Sequence, residues 1–229
     1  MAKETALVTG ASRGIGRATA LRLSAAYDIV AVARSESELK SLKGEIEIGG
    51  GVCRTIALDI ADEKAVTAAL RGLEVDVLVN NAGVATMKPF LELTSAEWHN
   101  MVNVNFNALY YVTHALIHGM VERKRGFIVT IGSLAGRNSF VGGSCYSATK
   151  HAVNGFSESL MLEVRDANVR VAVVMPGSVE TSLTPSSGDQ SWKMTSNQIA
   201  DAVWYLISQP DSVLVSRIEM RPSKAPRHR

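Results

Sequence analysis

A parallel, doubly wound α/β sheet of about seven strands, with helices on both faces, is the fold this sequence predicts, and three features predict it. Short β-branched runs alternate with helix-length segments along the whole chain, the pattern of strand-helix-strand crossovers. Most of those runs are apolar throughout, as strands covered on both faces are. The first of them passes straight into a glycine-rich turn that opens a helix. At 229 residues, with 46% hydrophobic and 20% charged side chains, the chain has single-domain size and ordinary globular composition. That composition excludes disordered, collagen-like and disulfide-scaffold classes.

In chain order, a strand at 6–8 leads through the glycine turn into a helix at 15–25, then a strand at 29–33 and a helix at 37–43. A strand at 52–58, a helix at 63–70 and a strand at 75–79 follow. Thr94, Ser95 and Glu97 make a capping-box-like start for a long helix at 96–122, and Gly126 suits its exit into a strand at 127–131. A helix at 147–167 precedes a strand at 169–175 that Pro176 and Gly177 close. The polar stretch 182–191, with its Gly and Pro, lies where a sheet of this kind keeps its ligand crevice. It is either a lid or a plain mobile connection. A helix at 197–208 and a strand at 213–220 complete the sheet. Residues 1–221 form one domain and 222–229 a basic tail, where Lys224, Arg227, His228 and Arg229 follow Arg221 as a frayed, solvated end.

Charge and cysteine usage narrow the setting. The net charge of +2 gives no case for nucleic-acid binding. The uncharged run 98–121 carries Asn100, Asn103, Asn105, Asn107, His114 and His118, costly in lipid, so it reads as a buried helix and the protein has no membrane partner. Cys53 and Cys145 stand far apart with no C-x-x-C spacing, so neither a disulfide framework nor a zinc site is expected, and a reducing, cytoplasmic compartment fits. No apolar stretch near the N-terminus has the length of a signal peptide.

The chemistry concentrates at strand ends. Gly10, Ser12, Arg13, Gly14, Ile15 and Gly16 stand between the first strand and its helix, where glycines let backbone N–H groups approach a pyrophosphate. The second strand ends in Ala33 and Arg34, with no carboxylate there for a ribose 2′-hydroxyl. Arg13 and Arg34 are available for a 2′-phosphate, so NADP(H) is the better electrostatic match than NAD. Asp59, followed by Ile60, ends the third strand, placed to bind an adenine amino group or to cap the next helix. Asn80, Asn81, Ala82 and Gly83 end the fourth and either line a cofactor or make a plain turn. Tyr146 and Lys150 share one helix face at four-residue spacing, and a nearby ammonium would favour the phenolate of a group that ordinarily titrates near ~10. Ser133 follows the fifth strand, where its hydroxyl can meet a carbonyl beside Tyr146.

Together, residues 9–16, Asn80 to Gly83, Ser133, Tyr146 and Lys150 resemble the short-chain dehydrogenase/reductase family, in its single-domain, Rossmann-type branch, over nearly the whole chain. The resemblance implies that Ser133 polarises a carbonyl and Tyr146 transfers the proton. It also implies that Lys150 binds the nicotinamide ribose and lowers the tyrosine pKa. Asn105 matches the family asparagine that completes a proton relay through water, with Asn103 as the near miss. Pro176, Gly177, Val179 and Thr181 match the segment that holds the nicotinamide. The chain lacks the glycine pair that many members carry after the last strand, which points away from carrier-protein-bound ketoacyl substrates and toward small carbonyl or alcohol substrates.

Other features are weighed beside these. His114 and His118 have metal-compatible spacing but no third ligand, so packing or an interface is expected and no metal site. Cys145 adjoins Tyr146 as a pocket or core thiol. Phe140, Leu183, Trp192 and Met194 are candidate apolar walls or ordinary core. Ala148, Ala152, Gly155 and Ser159 form a small-residue track on the helix of Tyr146. Family members pair this helix across a two-fold axis, so a homodimer or homotetramer is expected. A catalytically silent dinucleotide sensor is the alternative from another class, and a proton donor set argues against it. A sugar-nucleotide epimerase would need a different glycine spacing and a longer C-terminal region.

Overall fold

The computed structural model describes residues 3–183 and 189–224. Its centre is a seven-stranded sheet in the order β3-β2-β1-β4-β5-β6-β7, parallel throughout. The strands are β1 (Glu4–Thr9), β2 (Tyr27–Ala33), β3 (Cys53–Ala57), β4 (Val77–Asn80), β5 (Gly126–Ile131), β6 (Val169–Pro176) and β7 (Arg217–Met220). The helices are α1 (Gly14–Leu23), α2 (Glu36–Ile48), α3 (Glu63–Leu70), α4 (Ser95–Val102), α5 (Ala108–Glu122), α6 (Ser144–Val164) and α7 (Ser196–Ile207).

Alternation along the strands divides the core between the two faces. Ala6 and Val8 of β1 join Leu23, Leu39, Leu42 and Val203 on the side of α1, α2 and α7. Leu7 between them points the other way, to Leu78, Val112, Leu116 and Ile128 on the side of α3 and α5. A slip of one residue in β1 would exchange these two sets, and the pairing of Ala6 with Ile29 and Val77 prevents it.

Local signals set most ends. Thr94 caps α4 with Glu97 reaching back to it, and Thr195 with Gln198 makes a second capping box at α7. Ser35 accepts the Glu38 N–H and starts α2, which runs past the expected residue 43 until Gly49 and Gly50 stop it. The long helix expected over 96–122 is a continuous rod, but Asn103–Asn107 is wound as a π-helical turn, with the Ala108 N–H reaching back to the Asn103 carbonyl. The last strand is shorter than its apolar run, since β7 pairs with β6 only from Arg217 onward and Val213 and Leu214 stay partly exposed.

Because β1 leads outward in one direction and β4 in the other, the strand order reverses between them and opens a crevice at the C-terminal edge of the sheet. The glycine turn, Arg34, Asp59, residues 81–83, Ser133 and the segment at Gly177 each follow a strand at that edge, while Tyr146, Lys150 and Asn105 are carried on helices. Residues 184–188 of the candidate lid and 225–229 of the tail lie outside the described residues.

Candidate active site

The crevice is a cavity of about 750 Å³ whose lining follows the strand order. Arg34, Ser35, Glu38, Asp59 and Ile60 line it where β2 and β3 end. Residues 10 and 12–15 line the middle, together with Asn81, Ala82 and Gly83 after β4. Ser133, Tyr146, Lys150, Pro176, Gly177, Val179, Thr181 and Arg221 line the end beyond β5 to β7. The chain thus brings to one wall nearly all the residues picked from sequence, from segments far apart in the chain. Of the residues picked for catalysis or cofactor binding, Gly16, Asn105 and Asn80 do not line this cavity, the last buried with its amide donating to Thr113.

The glycine turn is built for an anion. Gly10 and Gly14 take φ values of +64° and +56°, where a side chain is strained. Arg13 stands at the N-cap of α1 without a side-chain cap, and the first turn holds no acidic residue, so its N–H groups and dipole are left for a ligand. Asn81 fastens the turn to β4. Its Nδ2 donates to the Thr9 carbonyl at 2.9 Å, while its N–H and that of Ala82 donate to Thr9 Oγ1 at 3.0 and 3.2 Å. Gly16 sits behind this staple: a Cβ there would lie 2.3 Å from the Gly10 oxygen and 2.4 Å from Asn81 Nδ2. Its place is in the packing of the turn.

At the β2 end, Ser12 and Ser35 offer hydroxyls, and among the described residues neither Arg13 nor Arg34 forms an ion pair. The donor set fits a phosphorylated ribose. Glu38, one turn into α2, also lines this end, and its place on a helix rather than at the strand terminus hides it in the sequence. Asp59 accepts the Ala61 N–H at 3.0 Å, and the cap of α3 is Asp62 instead, which leaves Asp59 as a wall of the cavity.

At the far end, Tyr146 lies in the first turn of α6 and Lys150 one turn on, both buried. Lys150 Nζ donates to the Ile131 carbonyl at 3.1 Å and stands 5.8 Å from the centre of the Tyr146 ring. Ser133 Oγ accepts the Ala135 N–H at 3.0 Å, which turns the chain after β5 toward α6. That turn packs so closely that a Cβ on Gly136 would lie 2.5 Å from the Lys150 carbonyl oxygen. Burial pushes the Tyr146 phenol above its ordinary value, and its hydrogen bond with Ser133 pulls the other way. The phenol is therefore protonated at neutral pH. Burial brings the Lys150 ammonium down to about 8.

Asn105 belongs to the same structure from behind. Its Oδ1 accepts the Val84 N–H at 2.8 Å, and its Nδ2 donates to the Val84 carbonyl and to Thr149 Oγ1 at 2.9 and 3.2 Å. Thr149 Oγ1 in turn donates to the Tyr146 carbonyl at 2.8 Å. Asn105, in the π-helical turn, so ties the loop after β4 to the helix of Tyr146 and Lys150. A small cavity of about 10 Å³ lies between Asn105 and Lys150, the room one water needs.

The ionisation of Lys150 carries a stability prediction. Lowering an ammonium from 10.5 to about 8 costs roughly 3 kcal/mol in the charged form, offset in part by the bond to Ile131. The cost is complete below the folded value and is relieved as pH rises toward the unfolded one, since the unfolded chain then binds more protons. Lys150→Met is expected to be more stable than the parent at pH 7, with the gap narrowing by pH 9 in urea melts. Comparing the two proteins cancels the opposite trend from Cys53, whose buried thiol is pushed up to about 11.

Of the expected apolar walls, Phe140 and Leu183 line the cavity, whereas Met194 is in the core and Trp192 is not at the cavity. Cys145 is buried beside Met101 and Ala135. His114 and His118 stack edge to face, 5.1 Å apart, on the exposed side of α5. Arg221 was assigned to the solvated tail, but it lines the cavity. Its position directly after the last strand was the signal that could have placed it.

The profile of the family described as short chain dehydrogenase matches residues 4–192. The chain is 34% identical over 235 residues to the NADP-dependent 3-hydroxy acid dehydrogenase of Salmonella typhi, covering 94% of each chain. It is 32% identical over 236 residues to the serine 3-dehydrogenase of Rhizobium radiobacter, covering 95% of this chain and 93% of that one. A crystal structure of a metagenomic short-chain oxidoreductase in complex with NADP superposes with a TM-score of 0.86 at 35% identity, over 98% of this chain and 99% of the other. On its sequence, its sheet and this cavity, the chain belongs to the short-chain dehydrogenase family.

Proposed function

We propose that the protein is an NADP(H)-dependent oxidoreductase that interconverts a small carbonyl compound and its alcohol. One observation carries the reading: Ser133, Tyr146 and Lys150 share a cavity wall whose other end is a helix N-terminus without a side-chain cap and two arginines that form no ion pair among the described residues. The named relatives point the same way, one an NADP-dependent dehydrogenase of 3-hydroxy acids and another a dehydrogenase of serine.

Gly10, Ser12, Gly14, Ile15 and the first turn of α1 would hold the diphosphate, and Arg13 and Arg34 the 2′-phosphate. Asp59 and Ile60 would flank the adenine, and Pro176, Gly177, Val179 and Thr181 would hold the nicotinamide. When bound, NADPH supplies the hydride for the carbonyl carbon. Ser133 donates a hydrogen bond to the carbonyl oxygen, stabilising the negative charge that develops there. Tyr146, neutral because burial holds its proton, passes that proton to the same oxygen. Lys150 keeps positive charge beside the phenolate left behind, and its value near 8 lets it pass a proton on at working pH. Asn105 fixes the helix that carries both groups and borders the small cavity through which the proton returns.

The test is NADPH consumption by the purified protein against aldehydes, diketones, keto esters and 3-oxo acids. Turnover supports the reading, and tight NADPH binding without turnover across the panel overturns it. A second experiment tests the cofactor. Losing one charge-assisted contact is worth about 10- to 100-fold in affinity, so Arg34→Ala is expected to weaken NADPH by that factor and NADH little. Equal weakening of both would remove Arg34 from the phosphate site. Buried free Cys53 and Cys145 support a cytoplasmic setting, and the exposed side of α6 at Ala148, Gly155 and Ser159 supports a homodimer or homotetramer.

A further inference from the structure

The substrate end of the cavity has a charge pattern the proposed chemistry does not use. The carboxylates that line the cavity, Glu38 and Asp59, stand at the β2 and β3 end. At the opposite end Lys150 is buried and donates to Ile131, which leaves Arg221, among the described residues, as the accessible cation on that side of the lining. The chain around Arg221 is held in place. The Gly177 N–H donates to the Met220 carbonyl at 2.8 Å, and a Cβ on Gly177 would meet Leu134 at 3.1 Å and Pro222 at 3.4 Å. Arg221 is therefore flanked by residues packed on Gly177, in the loop after β6, which itself lies against Leu134.

Its guanidinium is only loosely engaged. Glu219 bonds closely to Arg137, which holds its carboxyl below the ordinary value, and Arg221 reaches the other oxygen of the same carboxylate at 3.5 Å. Two guanidiniums on one carboxylate leave a net positive charge at this rim. Most of the five N–H donors of Arg221 remain available, with the side chain more than half exposed. Met87, Leu134, Phe140 and Leu183 give the same cavity apolar lining beside this cation.

We propose that Arg221 recognises an anionic group on the substrate, so that the preferred substrate is a carbonyl or alcohol compound carrying a carboxylate or another small oxyanion. This rests on the oxidoreductase reading. A bidentate guanidinium contact orients the substrate with its anion toward β7 and its carbonyl toward Ser133 and Tyr146. Arginine stays charged across the working pH range, so the preference belongs to the enzyme at any pH at which it turns over.

The experiment compares acetoacetate with methyl acetoacetate, which differ by the charge, in the parent, Arg221→Ala, Arg221→Lys and Arg221→Glu, with the KM for NADPH measured in each. In the parent, kcat/KM is expected to favour the acid. In Arg221→Ala the acid-to-ester ratio should fall by about 10- to 100-fold, mostly through KM for the acid. Arg221→Lys should recover part of the ratio, and Arg221→Glu should invert it. An unchanged ratio in Arg221→Ala, or a loss that appears instead in the KM for NADPH, overturns the assignment while leaving the oxidoreductase reading intact. A parent enzyme that turns over neither compound nor any other carbonyl overturns both.

Discussion

Tyr146→Phe is expected to lower kcat by about 10²- to 10⁴-fold, the range by which a positioned proton donor contributes. NADPH affinity, read by quenching of protein fluorescence, should stay near that of the parent. The substitution deletes one oxygen from a ring that is 7% exposed and held by the packing of α6, so the cavity keeps its shape. What disappears is the proton that burial keeps on the phenol at neutral pH and the hydrogen bond shared with Ser133. Because Lys150 is anchored to the Ile131 carbonyl, its ammonium should not move into the gap. Turnover that survives in the variant would mean that another group protonates the substrate and would remove Tyr146 from the chemistry. Lost NADPH affinity would instead mean that the ring shapes the cofactor site.

The parts of the site that could be read from sequence are those for which position along a strand suffices. In a parallel sheet every C-terminal strand end faces the same edge, so finding where β1, β2, β4, β5 and β6 stop already located Gly10, Arg34, Asn81, Ser133 and Gly177. Tyr146 and Lys150 followed from helical spacing. What resisted depends on the direction of side chains and on contacts between distant segments. Asn105 is named through the family resemblance alone, since its residue pattern is that of any polar residue on a long helix and its bonds to Val84 and Thr149 from the π-helical turn depend on the fold. Nothing in the local sequence announces that the ammonium of Lys150 would bond to Ile131, or that Ser133 rather than Lys150 would be the group opposing burial at Tyr146. Arg221 was obscured by its company, since a run of basic residues and prolines reads as a solvated tail although its first member stands at the crevice edge.

Gly16→Ala is expected to do the most damage to the fold and the cofactor site together, although alanine is the better helix former by about 1 kcal/mol. The added methyl would lie 2.3 Å from the Gly10 oxygen and 2.4 Å from Asn81 Nδ2, and the first of these is backbone that cannot rotate away. To make room, either α1 lifts from the end of β1 or Asn81 releases the Thr9 and Gly10 carbonyls it holds at 2.9 and 3.3 Å. Overpacking of this kind costs up to about 3 kcal/mol, and in a domain of this size that lowers Tm by roughly 6–12 °C. The same displacement would move the N–H groups of α1 away from where the diphosphate is proposed to bind, so NADPH affinity should fall along with stability. Gly44→Ala is the matched control. It is the same substitution on a helix of the same protein, with nothing within 4 Å of the new methyl, and it is expected to raise stability by about 0.5–1 kcal/mol without touching NADPH. Opposite signs for the two variants in thermal melts would show that Gly16 is required for the close approach of helix and turn. If Gly16→Ala were as benign as Gly44→Ala, the staple between Thr9, Gly10 and Asn81 would not be what holds the nucleotide turn in place.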